Sequence, residues 1–158
     1  MFLARAMPSP ACRTRNGLTA VCFSRQFPRA VAQRIRRMFA TLGMTVELRE
    51  AEFDAFTVVY SPTHGQHALA TLTSAAEEMG LDSTTAILAA AHALGDSIND
   101  WRARGMPKIS EVLREAATPG GIAAATMAAM EKAGSVRSIR KGLKAGMQRL
   151  REVANSDS

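Results

Sequence analysis

Apolar positions recur three to four residues apart along most of the chain, and the breaks between runs carry Gly, Pro or a capping residue. In residues 28–42, Val31, Ile35, Met38, Phe39 and Leu42 keep that spacing and Gly43 ends it. This predicts an amphipathic helix with Arg29, Arg34, Arg36 and Arg37 on or beside its wet side. Residues 44–48, MTVEL, alternate briefly and predict a short strand, after which EAEFDAFTVVYS resumes a helical pattern that Pro62 ends or kinks. Residues 66–79 predict a helix stopped by Gly80, and Asp82-Ser83-Thr84 offers the cap of the next, TAILAAAHALGDSINDWRAR. Both are dense in alanine, so their backbones can approach closely, with Leu69, Leu72, Ile87, Leu88, Leu94 and Trp101 filling the gaps. MPKISEVLREAA, with Pro107 in its first turn, and IAAATMAAMEKAG read as two further helices. Ser135 caps the last, on which Val136, Ile139, Leu143, Leu150 and Val153 mark one face. Six or so helices joined by short turns make a compact all-α helical bundle.

Composition supports that class: aromatics are 5% of 158 residues while alanine and methionine are abundant, which favours close helix packing over a sheet-rich core. The length suits one domain with a core of its own. The formal charge of +6 is concentrated in residues 1–50, where nine Arg face Glu47 and Glu50. Cys12 and Cys22 lack a CxxC spacing, which suggests free thiols in a reducing, cytoplasmic compartment. The first thirty residues are Arg-rich and free of acids, as mitochondrial transit peptides are, but Met7-Pro8-Ser9-Pro10 breaks an amphipathic helix there early. No apolar run approaches the length of a membrane span.

One break demands more than punctuation. In AATPGGIAAA, residues 116–125, the plain reading makes Thr118 an N-cap and Pro119 the first helical residue, with Gly120 and Gly121 relaxing the turn. The functional reading asks what the bare backbone is for: without side chains at Gly120 and Gly121 a ligand can reach the amides, and unpaired N–H groups at a helix start attract carboxylate or phosphate.

Other candidates carry less. His64 and His67 stand three apart but lack a third ligand at a usable spacing, so no metal site is expected. His92, among alanines, suits a core or interface position. The Arg25, Arg29, Arg34, Arg36 and Arg37 cluster could meet nucleic acid phosphates, yet without interleaved aromatics or a recognisable DNA-binding unit a solvated face or dimer rim is the better reading. There is no GxGxxG after a strand, no GxxxxGK[ST] and no GxSxG, so this stretch of chain carries no nucleotide fingerprint.

Three stretches together resemble the pyrroline-5-carboxylate reductase family. RAMPSPACRTRNGLTA (5–20) is similar to the family's R-x-M-P-N-T-P…G-x-T-A, with Arg5, Met7, Pro8, Gly17, Thr19 and Ala20 in place and Ser9, Pro10 and Ala11 departing. MFATLGMTVELREAEFDAFT resembles its helix, LG, short extended segment, acidic residue and D-x-x-T, here Asp54 and Thr57. LREAATPGGIAAATMAAMEKAG resembles its L-R-x-x-V-x-(S/T)-P-G-G-T-T segment and the helix after it.

The resemblance implies residues 1–22 as the remnant end of a nucleotide-binding domain with its connector, and 23–158 as a helical domain that interlocks into a homodimer. It implies that Thr118, Pro119, Gly120 and Gly121 hold the carboxylate of a cyclic imine that NAD(P)H reduces in proline biosynthesis. Catalytic residues are unassigned, and no cofactor is expected in this chain alone; NAD(P)H would enter with a separate Rossmann-type domain, so the chain by itself is expected to be inactive. Two further departures bear on the site. The family's two threonines after PGG are Ile122 and Ala123 here, which removes the hydroxyl expected to contact substrate, and its G-S-G-P-A-Y falls on Ser61, Pro62, Thr63, His64, Gly65 and Gln66 with no residue kept in place. A non-catalytic dimeric interaction module is the alternative reading.

Overall fold

In a computed structural model, which describes residues 1–156, the elements run β1 (Ala4–Pro8), a 3-10 helix (Pro10–Thr14), β2 (Gly17–Phe23), α1 (Arg29–Ala40), β3 (Gly43–Glu47), α2 (Glu50–Val59), α3 (Pro62–Glu78), α4 (Ser83–Ala103), α5 (Ile109–Ala116), α6 (Ile122–Lys132) and α7 (Ser135–Ser156). From Glu50 onward every regular element is a helix, as the apolar spacing predicts. Before it lies a three-stranded sheet in the order β1-β2-β3, of which only β3 was expected. β1 pairs antiparallel with β2, setting Arg5 opposite Cys22, and β2 pairs parallel with β3 through the α1 crossover, setting Gly17 opposite Gly43.

The central strand explains why alternation failed to reveal it. Thr19, Ala20, Val21 and Cys22 are all buried, because β2 has a neighbour on each edge and is covered on both faces. Ala20 and Cys22 form a core with Phe53 of α2, joined by Met7, Val46, Leu48 and Phe56. On α1 only Ala32 is buried, while Val31 and Met38 of the expected apolar face stay exposed.

The chain divides into two units, Met1–Tyr60 with the end of α7 from Leu143, and Ser61–Gly142. In the second unit α3 and α4 pair, and α4 turns Ala86 and Ala90 inward, the only buried side chains on its 21 residues. α3 opens at Pro62, earlier than expected, because Pro62 takes the first-turn position where a missing N–H costs nothing. Pro107 is displaced in the opposite sense: it precedes Lys108, the N-cap of α5, and its carbonyl accepts a 2.8 Å hydrogen bond from the Trp101 indole.

Asp82 caps α4, accepting from the amides of Thr84 and Thr85 at 3.1 Å and from the Thr85 hydroxyl at 2.6 Å. These bonds, the Thr85 hydroxyl first, hold its carboxyl below the usual carboxylate range. A depressed folded-state value means stability that is present above the unfolded-state value and lost as pH falls through the folded one. Asp82→Ala is therefore expected to lower the thermal midpoint at pH 7, with the gap to the parent closing on acidification; melts from pH 7 to pH 2 check it.

Candidate functional site

The TPGG break is a type II β-turn followed by a helix start. Gly121 N–H donates to the Thr118 carbonyl at 2.9 Å, and Gly120 sits at φ +75°, the left-handed conformation that the third residue of such a turn requires and glycine adopts without strain. Pro119 has the favoured second position. Gly121, extended at φ −79° and ψ 164°, is the N-cap of α6, and Ala125 N–H donates to its carbonyl at 3.1 Å.

This corrects two expectations. Thr118 is not the cap and Pro119 is not the first helical residue, because the Pro-Gly turn consumes three residues before α6 begins at Ile122. Nor is the Gly121 amide bare, since the turn uses it. The amides left without a helical acceptor are those of Ile122, Ala123 and Ala124 in the first turn of α6, and no acidic side chain stands in that turn to satisfy them. A Cβ at Gly121 would lie 2.7 Å from Thr118 Oγ1 and 3.1 Å from its carbonyl oxygen, so absence of a side chain there lets the turn close on Thr118.

Thr118, Pro119 and Gly120 are exposed and Gly121 is half-buried. Ile122 is 89% exposed, an aliphatic side chain standing in water beside unpaired amides. The nearest hydroxyl in α6, that of Thr126, donates to the Ile122 carbonyl one turn back at 3.0 Å. The site thus offers backbone donors and an apolar wall, and no side-chain acid or base: it can bind an anion but has nothing of its own to move a proton.

His64 and His67 are exposed, and among the described residues no group of His, Cys, Asp or Glu is arranged to hold a metal ion. His92 is not a core residue in this chain: its side chain is 71% exposed and meets Asp96 one turn on at 3.1 Å. Within the basic cluster Arg36 is engaged, bonded to Glu47 at 2.6 Å and lying 5.2 Å from the centre of the Phe23 ring.

A link that sequence reasoning missed joins the sheet to the first residue of α2. Arg5 on β1 donates to Glu50, reaches Asp54 at 3.8 Å and lies 4.1 Å from the centre of the Phe53 ring. The Arg5 hydrogen bond, with one from Cys22, holds the Glu50 carboxyl below its ordinary range, while burial first and Glu50 second push the Cys22 thiol up. Arg5 and Glu50 were each visible, Arg5 as a matching motif residue; what joins them is the register of β1 on β2, across 45 positions.

Among the described residues no helix is long and apolar enough to cross a membrane. Solved structures with this fold include pyrroline carboxylate reductase from Plasmodium falciparum with NADP bound, with a TM-score of 0.80 at 17% identity. Others are the pyrroline-5-carboxylate reductases of Streptococcus pyogenes, at 0.81 and 18%, and Coxiella burnetii, at 0.85 and 18%. The alignments cover 94%, 94% and 96% of this chain but 60%, 58% and 57% of those chains, so it spans somewhat over half their length. No curated protein sequence matches. The family model described as pyrroline-5-carboxylate reductase dimerisation matches residues 50–153, the run from the first residue of α2 nearly to the end of α7, and on that match the chain belongs to the pyrroline-5-carboxylate reductase dimerisation family.

Proposed function

We propose that this chain forms a homodimer through the exposed apolar faces of its helices and presents the α6 start as a seat for the carboxylate of a small cyclic imine acid. The observation that carries the dimer is α4. Ala86 and Ala90 are buried, and Trp101 and Leu94 beside them are half-buried, yet Ile87 and Ile98 at the outer edge of the same apolar face are each nearly half exposed. An apolar helix face whose outer edge is left in water calls for a second protein surface. The buried Cys22 and unbridged Cys12 suit a reducing, cytoplasmic setting.

Hydride transfer belongs to NAD(P)H when it is bound, and the described residues do not fit that cofactor. The strand-to-helix turn from β2 to α1 reads Ser24-Arg25-Gln26-Phe27-Pro28, without the glycines that let a pyrophosphate approach the backbone. Reduction therefore depends on a Rossmann-type fold beyond the described residues, and what this chain supplies is dimerisation and the anion seat.

Heat denaturation with ligands tests the seat. Proline, a five-membered ring acid, is expected to raise the midpoint, and pyrrolidine, the same ring without the carboxylate, is not. Ala123→Asp places a carboxylate among the free amides and is expected to stabilise α6 by about 0.3–1 kcal/mol while abolishing the response to proline. Equal responses to proline and pyrrolidine, or a response that survives Ala123→Asp, would exclude the seat and leave the non-catalytic dimeric module.

A further inference from the structure

α7 differs in charge from every element before it in the family-matched stretch. Its 22 residues hold six cations and one acid, whereas residues 51–134 hold five basic and ten acidic side chains. Glu152, the acid, is taken by Arg149 at 3.2 Å and by Gln148 at 3.1 Å. The other five cations, Arg137, Arg140, Lys141, Lys144 and Arg151, are exposed and have no ion-pair partner among the described residues. At 3.6 residues per turn they fall within about 100° of one another around the axis and extend about 21 Å along it.

From this unpaired stripe we infer that the cationic face of α7 is a docking surface for the phosphate backbone of duplex nucleic acid. A duplex presents one negative charge per roughly 1.7 Å of its axis, both strands counted, so a row of cations about 21 Å long can meet several phosphates where it crosses the backbone. Asn155 shares the face and adds an amide donor suited to phosphate oxygens.

The apolar side of α7, with Ile139, Leu143, Gly146 and Leu150, lies about 135° away around the helix, so docking does not use the apolar side chains of the dimer proposed above, and Lys144 and Arg151 border an open groove beside Ala55, Val58 and Val59 of α2. Five unpaired cations also make a costly surface to bury against a second copy, because each loses its hydration without an acid to replace it. A lipid surface fits less well. α7 has no aromatic side chain to anchor in headgroups, and Val58 of α2 packs against its apolar side at Gly146.

The test is fluorescence anisotropy of a labelled 20-base-pair duplex, titrated with the whole chain at 50, 100 and 200 mM KCl. Expected is sequence-independent association that weakens about a hundredfold or more over that range, as four or more displaced counterions require. Lys141→Glu/Lys144→Glu should weaken it by at least tenfold with solution mass and helicity unchanged, while Arg34→Ala/Arg37→Ala on α1 should alter it less than twofold. No association at 50 mM KCl would overturn the inference. So would equal loss with the α1 pair, binding to phosphatidylserine vesicles but not to the duplex, or a changed solution mass in the α7 variant, which would place the stripe between copies.

Discussion

Ile87→Glu/Ile98→Glu is expected to turn a dimer into a monomer. Both side chains are nearly half exposed in the single chain, at the edge of the face that carries the buried Ala86 and Ala90, so the pairing of α3 with α4 should survive the change. Covering an isoleucine contributes about 1.5–3 kcal/mol, and a carboxylate trapped in the same place costs several kcal/mol more. Two such sites should raise the dissociation constant by more than about a thousandfold, since every 1.4 kcal/mol is about a factor of ten. Sedimentation velocity from 1 to 100 μM reads the mass and circular dichroism the helicity. Ile87→Leu/Ile98→Leu, which keeps the apolar area, should remain dimeric. A glutamate variant that sediments with the parent would move the interface off this side of α4.

The second large effect is expected at the sheet. Gly43 sits at φ +136°, and a Cβ there would fall 2.1 Å from the Gly17 carbonyl oxygen and 2.7 Å from the Gly17 nitrogen. Gly17 is no freer, with Cys12 Sγ at 2.3 Å and Cys12 N at 2.7 Å from its own notional Cβ. The two glycines are register partners, so the first rung of the parallel pairing exists only while both lack side chains. Overpacking typically costs about 1–3 kcal/mol, and a left-handed L-residue adds roughly 1–2 kcal/mol, so Gly43→Ala should lose about 3 kcal/mol or more. Urea denaturation measures it; a loss under about 0.5 kcal/mol would mean that β3 can shift its register on β2.

The helices were legible because their apolar residues face one side and their ends carry local chemistry: Gly80 stops α3, Asp82 caps α4 and Gly134 closes α6 within the residues that sequence spacing marks. β1 and β2 were not. ARAMP shows little alternation, and Thr19, Ala20, Val21 and Cys22 are buried on both faces, so there was no polar side for a period of two to reveal. The Arg5–Glu50 link was hidden for a related reason, since strand register and not sequence distance brings the two together.

The TPGG site was legible in composition but not in geometry. Thr-Pro before a helical run fits an N-cap and first-turn proline, and Pro-Gly fits a type II turn equally well. The turn wins because Gly120 supplies the positive φ, which moves the cap to Gly121 and the free amides to Ile122, Ala123 and Ala124. Charge was obscured by averaging: residues 51–158 sum close to neutral, which conceals a basic α7 behind an acidic stretch from 51 to 134.

If these helix faces bring two copies together, solution mass shows it. Multi-angle light scattering on a size-exclusion column at tens of micromolar should return about twice the 16.9 kDa chain mass. A helical species of 16.9 kDa at that concentration would rule out the dimer, because Ile87 and Ile98 of α4 would then have no second copy to cover them.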